Sequence, residues 1–506
     1  MFETAELGRK LTKEAFKAEE PELRTQLLQA QWALNREGVP LVIIVSGMEG
    51  AGKSQVADRL NKWLDTRGMD TAAFWDETDE ERQRPPHWRY WRRLPGKGEV
   101  ALFFGGWYRQ PLIEAALGRM DDATLERELH RIADLEHMLN VDNTLIVKFW
   151  LHLSAEDQEK RLAKRRPGGK KGKKKATREV AKQGERHTLT DLDRDPEGHY
   201  TALRTTAEKV VQATDTGESP WYIIEASNRR YRDMTLGRTL LDAMRGHLGR
   251  KRPSKPKPAV HNPRSPDHVE GPALLDTVDL HETLAEEAYR QQLKARQREL
   301  NALIWDGWNN HRSVVAVFEG WDAAGKGSAI RRVTGAMDAR LYRVLSVAAP
   351  TDEEKAHHYL WRFWRQIPRD GYVTVYDRSW YGRVLVERVE GFAAEQAWMR
   401  AYAEINRFEE QLAEHGTTVL KFWLHISPEE QLRRFREREE TPWKKHKITD
   451  EDWRNREKWP AYQTAVEDMV ARTSTPHAPW TLIAGEDKRV ARLQVLDTFI
   501  AALKGR

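Results

Sequence analysis

Cysteine is missing from all 506 residues, which excludes disulfides and any zinc site built on thiolates. No apolar run approaches the roughly 20 residues that a membrane-crossing helix needs. From Met1 to Glu20, charged and apolar side chains alternate without the apolar core of a secretory signal. The cytoplasm is therefore the expected location, and no membrane partner is expected. Net charge is also small, at +6, although 32% of the residues are charged. So slight a basic excess fits an anionic partner or simply a solvated surface, and does not choose between them.

What is plentiful is tryptophan, 20 in all, most of them expected to fill cores and grooves. More telling is a repeat. Lys53, in Gly47-Met48-Glu49-Gly50-Ala51-Gly52-Lys53-Ser54, has a partner 273 positions later at Lys326, in Gly320-Trp321-Asp322-Ala323-Ala324-Gly325-Lys326-Gly327. Trp91-Arg92, Trp107-Tyr108 and Lys148-Phe149-Trp150-Leu151-His152 recur at that same offset as Trp364-Arg365, Trp380-Tyr381 and Lys421-Phe422-Trp423-Leu424-His425. Further on the offset is 259, pairing Leu189-Thr190-Asp191 with Ile448-Thr449-Asp450, so the first copy holds 14 additional residues after Ser154. A constant offset over so many residues means a duplicated domain. The expected division is 1–248, a proline-rich linker at 249–272, and 273–506.

Apolar runs of four to seven residues alternate with helical patterns in each copy, which predicts parallel sheets covered on both faces. The expected strands are 41–45, 71–75, 100–104, 145–150 and 221–224, then 314–318, 342–347, 372–376, 418–423 and 480–483. Each glycine-rich segment follows a strand and opens a helix, the setting in which backbone N–H groups and a helix N-terminus face phosphate oxygens. The expected fold class is α/β, two tandem P-loop parallel-sheet domains, each with a helical lid.

The two loops differ in chemistry. The first fits G-x-x-x-x-G-K-[ST] with Ser54 in the magnesium-ligand position, whereas Gly327 stands there in the second. Lys326 keeps its charge, and Asp322 places a carboxylate in the loop. The run ending at Tyr376 delivers Asp377 and Arg378 to a strand's carboxyl end, where ligands bind in open α/β sheets. Asp322 and Asp377 together could hold Mg²⁺ between phosphate oxygens; the competing reading makes Asp322 a helix cap. Opposite Asp377 and Arg378 the first copy has Phe104 and Gly105, and opposite Arg383 it has Gln110, so the first copy is expected to be catalytically dead or crippled.

A helical lid is expected over residues 433–462, carrying Arg433, Arg434, Arg436, Arg438, Lys447, Arg454 and Arg456. Mobile cations closing over phosphate would serve phosphoryl transfer; a solvated face with i,i+4 pairs is the plainer alternative. Lys447, Arg454 and Arg456 become Thr188, Asp195 and Glu197 in the first copy, which instead carries eight positive charges between Lys164 and Lys175. Tyr359, Trp361, Trp364, Trp380 and Tyr381 near the crevice motifs suggest a nucleotide, with packing on the sheet as the alternative for helix positions such as Trp361 and Trp364. The adjacent His357 and His358 point about 100° apart on a helix and make a poor chelate.

The stretches 320–327, 349–351, 376–388, 421–427 and 448–456 resemble the polyphosphate kinase 2 family, in its fused two-domain form. That resemblance implies a thymidylate-kinase-like fold, Mg²⁺ as cofactor, and transfer of a terminal phosphoryl group from inorganic polyphosphate to a nucleotide, AMP above all. It places function on Asp322, Lys326, Asp377, Arg378 and Arg383. Phosphate binding would fall to Gly320, Ala323, Ala324, Gly325, Lys326, Gly327 and Ser328, with Arg438 and Lys447 from the lid. Nucleic acid is not the expected partner, and a homo-oligomer is left open. The alternatives are an ATP-dependent nucleotide kinase, a polyphosphate-dependent kinase of nucleoside diphosphates, and a non-catalytic polyanion binder.

Overall fold

The structure, a computed structural model, describes residues 1–163, 195, 198–250, 274–442, 448 and 450–505. The basic run 164–175, nearly all of the 249–272 linker, and Lys447 lie outside them. Among the described residues no helix is long and apolar enough to cross a membrane.

Five strands form the first sheet: β1 Leu41–Gly47, β2 Met69–Ala73, β3 Val100–Phe104, β4 Leu145–His152 and β5 Trp221–Glu225. They lie in the order β2-β3-β1-β4-β5, and every pairing is parallel. The second sheet holds β6 Val314–Gly320, β7 Tyr342–Ser346, β8 Val373–Asp377, β9 Thr418–His425 and β10 Trp480–Ala484. Its order, β7-β8-β6-β9-β10, is the same topology, again all parallel. Central strands such as β1 and β4 are buried at every residue, as helices on both faces require.

The strands stand where the apolar runs placed them, with the largest displacement at β2. The expected strand ran to Trp75, but β2 is an edge strand paired to β3 alone, and that ladder stops at Ala73 opposite Phe104. Beyond it no backbone remains for Phe74 and Trp75 to bond. The helix after the second loop runs from Lys326 to Thr334.

By contacts the chain divides into two compact units. One comprises Met1–Thr78, Arg89–Arg252 and Asp352–Trp361, and the other Asp79–Trp88, Pro253–Thr351 and Arg362–Arg506. The two ten-residue segments that depart from simple halves stand at the same position of the repeat.

A buried polar cluster recurs in each unit. In the second, the Lys421 ammonium donates to Glu409 Oε2 (2.7 Å), to the Tyr381 hydroxyl (2.9 Å) and to the Thr473 carbonyl (2.6 Å). Tyr381 and the Trp380 indole both donate to Glu409 Oε1. Lys148, Glu136, Tyr108, Trp107 and Thr214 reproduce the same set in the first. Trp380 and Tyr381 are thus sealed core residues, which corrects the expectation that they meet a nucleotide, and Trp364 is buried as a helix residue, in line with the packing alternative. Burial drives the Tyr381 phenol well above its ordinary range, so it stays protonated and keeps donating.

Candidate active site

The second loop is built on two backbone constraints. Gly320 ends β6 at φ 148°, where a Cβ would sit 2.6 Å from the Leu424 carbonyl of the neighbouring strand. Gly325 takes φ 112° as the N-cap of the helix Lys326–Thr334, without a side-chain cap. Asp322 is therefore no helix cap. Its carboxylate instead accepts from Arg378 Nη2 on one oxygen and from Asn455 Nδ2 on the other, each at 3.1 Å. Lys326 folds over the loop, donating to the carbonyls of Gly320 (2.6 Å) and Trp321 (3.2 Å). Burial pushes its ammonium pKa down, partly offset by the Asp322 charge.

Next to β6 in the sheet, β8 ends at Asp377, level with Phe318. Arg378 follows at φ 65°, a left-handed conformation that costs a non-glycine residue about 1–2 kcal/mol. The equivalent first-copy residue, Gly105, adopts φ 68° without that cost. Arg378→Gly should therefore leave thermal stability unchanged or raise it by up to about 1 kcal/mol, because relieved backbone strain opposes the loss of a half-exposed ion pair. Calorimetry of the full chain reads this directly.

A cleft of about 660 Å³ opens above these strand ends, lined by Trp321 to Ser328 of the loop and by both Asp377 and Arg378. Seven cationic side chains, among them Arg331, Arg438, Lys488 and Arg492, face four carboxylates there, so the cleft is electropositive. A smaller cavity of about 80 Å³ adjoins it, where Trp321, Leu385, Val386 and Trp423 meet the charged Glu319, Asp322 and Arg378.

Not every expected residue reaches the cleft. Arg383 pairs with Glu387 at 3.1 Å and does not line it. Arg434 lines the wall but is buried, its guanidinium donating to the loop carbonyls of Ala323 (3.0 Å) and Ala324 (2.9 Å) and to Gly485 (2.7 Å). It braces the loop, where the sequence suggested a mobile phosphate-binding cation. Arg161 does the same in the first copy, reaching the Gly50 carbonyl at 3.0 Å. Arg433 pairs with Glu430 and Glu437 on the helix Pro428–Glu440, the plainer reading of that face. Arg456 holds the Pro428 carbonyl at 2.7 Å, and Arg454 approaches Glu390 at 3.5 Å. His358 is buried and His357 stacks on Trp361, so neither belongs to this cleft.

Sequence reasoning also missed residues. Glu319, buried, accepts from the Ser379 hydroxyl at 2.8 Å, and burial pushes its carboxyl pKa up. Trp321 stacks on Trp459 at 3.6 Å and donates to His425 Nδ1, whose pKa burial lowers to about 4. The loop carboxylate is not peculiar to the second copy: Glu49 stands opposite Asp322 and closes an ion pair with Lys53. Arg232 donates to the neighbouring Ala51 carbonyl at 2.8 Å, where the second copy has Ala491. The first loop is thus bound up by its own Glu49 and by Arg232 of the helix Arg229–Leu248.

Among the described residues no group of three His, Cys, Asp or Glu is placed to cage a metal. Two carboxylates in one cleft nevertheless suit a magnesium ion that takes most of its ligands from phosphate and water.

Parallel strands, a glycine loop opening a helix, and an acidic–basic pair at the end of the adjacent strand define an α/β protein with two all-parallel five-stranded sheets. The polyphosphate kinase 2 (PPK2) family model matches residues 10–252 and again 283–506, and the chain belongs to that family. It is similar to the polyphosphate:AMP phosphotransferase of Pseudomonas aeruginosa, 45% identical over all of this chain and 99% of the other. The protein of that name from Pseudomonas syringae pv. tomato is 44% identical, covering 100% of this chain and 98% of its own. A crystal structure from P. aeruginosa described as a polyphosphate kinase 2 superposes with a TM-score of 0.87 at 44% identity, covering 100% of this chain and 99% of that one.

Proposed function

We propose that the chain is a polyphosphate:AMP phosphotransferase, moving the terminal phosphoryl group of inorganic polyphosphate to AMP and releasing ADP. The observation that carries this reading is the electropositive cleft on which Asp322, Lys326, Asp377 and Arg378 converge. The full-length likeness to proteins of that name supports it.

Donor and acceptor are both polyanions, so the barrier lies in bringing like charges together in line. An oxygen of the AMP phosphate attacks the terminal phosphorus, the bond to the penultimate phosphate breaks, and the shortened chain leaves. The attacking oxygen is already ionised, so no general base is needed. His425, neutral above about pH 4 and bonded to Trp321, then serves packing. Lys326 and the amides at the head of its helix hold one phosphate group. Arg378, with Arg438 and Arg492 of the same cleft, holds the other. Asp322 and Asp377 are the residues that would hold Mg²⁺, which supplies charge neutralisation between the phosphates when bound. The helices Pro428–Glu440 and Asp450–Glu457 act as a lid, tied to Asp322 through Asn455.

Chemistry resides in the second copy. ADP formation from AMP, polyphosphate and Mg²⁺ should survive Lys53→Met within about twofold, since the first loop's lysine is spent on Glu49 and Phe104 replaces the aspartate. Loss of turnover in that variant would place chemistry in the first copy. ATP in place of polyphosphate should support little transfer; equal rates would favour an ordinary nucleotide kinase.

A further inference from the structure

We propose that Glu319 and Ser379 are positioning residues that hold Arg378 in its left-handed backbone and aim its guanidinium across the loop. This rests on reading Arg378 as a phosphate-binding group. Both side chains are almost completely buried, at 5% and 2% exposure, although each is polar; neither lines the larger cleft, and Glu319 lines the smaller cavity beside Asp322 and Arg378. Such residues persist in a core only when their hydrogen bonds are satisfied.

The backbone ladder between β6 and β8 ends where Arg378 N–H donates to the Phe318 carbonyl, at 3.1 Å. One residue further along each strand, side chains take over: the Ser379 hydroxyl donates to Glu319 Oε1 at 2.8 Å. The Ser379 hydroxyl oxygen in turn accepts from the Tyr381 N–H at 3.2 Å, capping the short helix Trp380–Arg383. With its proton given to Glu319 and a lone pair given to Tyr381, Ser379 has one orientation. Arg378 is pinned from both sides.

The first copy supplies the internal comparison. Gly105 N–H still donates to the Val45 carbonyl at 2.9 Å, so the ladder ends in the same way. Ser46 and Gly106, however, stand at the positions of Glu319 and Ser379, and a glycine has no hydroxyl to give. Without the side-chain anchor, Gly105 still reaches φ 68°. The turn itself does not need the pair; what needs it is a side-chain-bearing residue held in a conformation its Cβ disfavours. Arginine, glutamate and serine are present together in one copy and absent together from the other.

The test is steady-state transfer from polyphosphate to AMP by full-length variants. Ser379→Ala and Glu319→Ala should each lower kcat about 10- to 100-fold, with both KM values within about threefold, because the group is displaced and not removed. Glu319→Gln keeps an oxygen that accepts the hydroxyl proton and should recover most of the rate. In an Arg378→Gly background, Ser379→Ala should add less than about twofold, since nothing is left to aim. Should that background be too slow to assay, the thermal shift given by saturating polyphosphate is read instead. Ser379→Ala should reduce that shift when Arg378 is present and leave it unchanged when it is absent. Equal effects of Ser379→Ala with and without Arg378 would overturn the proposal, as would wild-type kcat in Ser379→Ala or a Glu319→Gln as poor as Glu319→Ala. Wild-type turnover in Arg378→Gly alone would instead show that the reading of Arg378 beneath it is wrong.

Discussion

Asparagine at position 377 is expected to lower kcat by about 10²- to 10³-fold, the usual loss when one preorganised electrostatic group is taken from a transition state. The substitution is isosteric, and the backbone contacts do not change. The Asp377 carbonyl still accepts from Val347 N–H at 3.0 Å, and the residue stays level with Phe318 on β6. Thermal unfolding should therefore match that of the parent chain. The carboxylate lines the cleft beside Lys326 and Arg378, so the change removes a negative charge from the place where a hard cation would sit between phosphates. Added Mg²⁺ should restore part of the rate if the loss is one of metal affinity. Near-normal turnover at ordinary Mg²⁺ would remove the second copy's acidic pair from the mechanism.

Lys421→Met is expected to act on stability more than on chemistry, costing about 3–5 kcal/mol, because it strands the fully buried Glu409 carboxylate without its cation. Glu409 would keep only the Tyr381 and Trp380 donors. Chemical denaturation followed by tryptophan fluorescence should show the earlier transition. Combining Lys421→Met with Glu409→Leu should recover only part of the loss, since it removes the stranded charge but leaves the buried Tyr381 and Trp380 donors without an acceptor. Lys148→Met should be as damaging in the first copy, where Lys148 meets Glu136 at the same 2.7 Å. A motif lysine present in both copies, including the one without Asp377 and Arg378, belongs to the architecture. If Lys421→Met kept its stability and lost only activity, that assignment would be wrong.

Much of this was legible in the sequence, for identifiable reasons. Strands buried on both faces read as uninterrupted apolar runs, so β1, β4, β6 and β9 were plain. The edge strand β2, with one paired neighbour, was placed two residues late. The loop and the Asp377-Arg378 pair were visible because strand, turn and helix follow one another in the chain. Contacts that cross the fold left no such trace. Asn455 reaches Asp322 over 133 residues, and Arg434 braces the loop over 111. Nothing in a basic helix distinguishes an arginine turned inward from those that face water. Glu319 falls between the apolar run 314–318 and the loop at 320–327, so neither pattern marks it. Aromatic density around the site pointed toward a base, but it arose from the Glu409 cluster drawing Trp380 and Tyr381 into the core.

The turn after β3 and β8 is written twice in this chain, once around glycine and once around arginine. Comparing the two measures what reactivity takes from folding within a single polypeptide, with temperature, solvent and ancestry held equal. If chemistry resides in the second copy as proposed, the difference also makes the first copy hard to convert to the same use. Gly105→Arg alone would introduce the strain without the buried partners that make it tolerable, so conversion would need several substitutions at once.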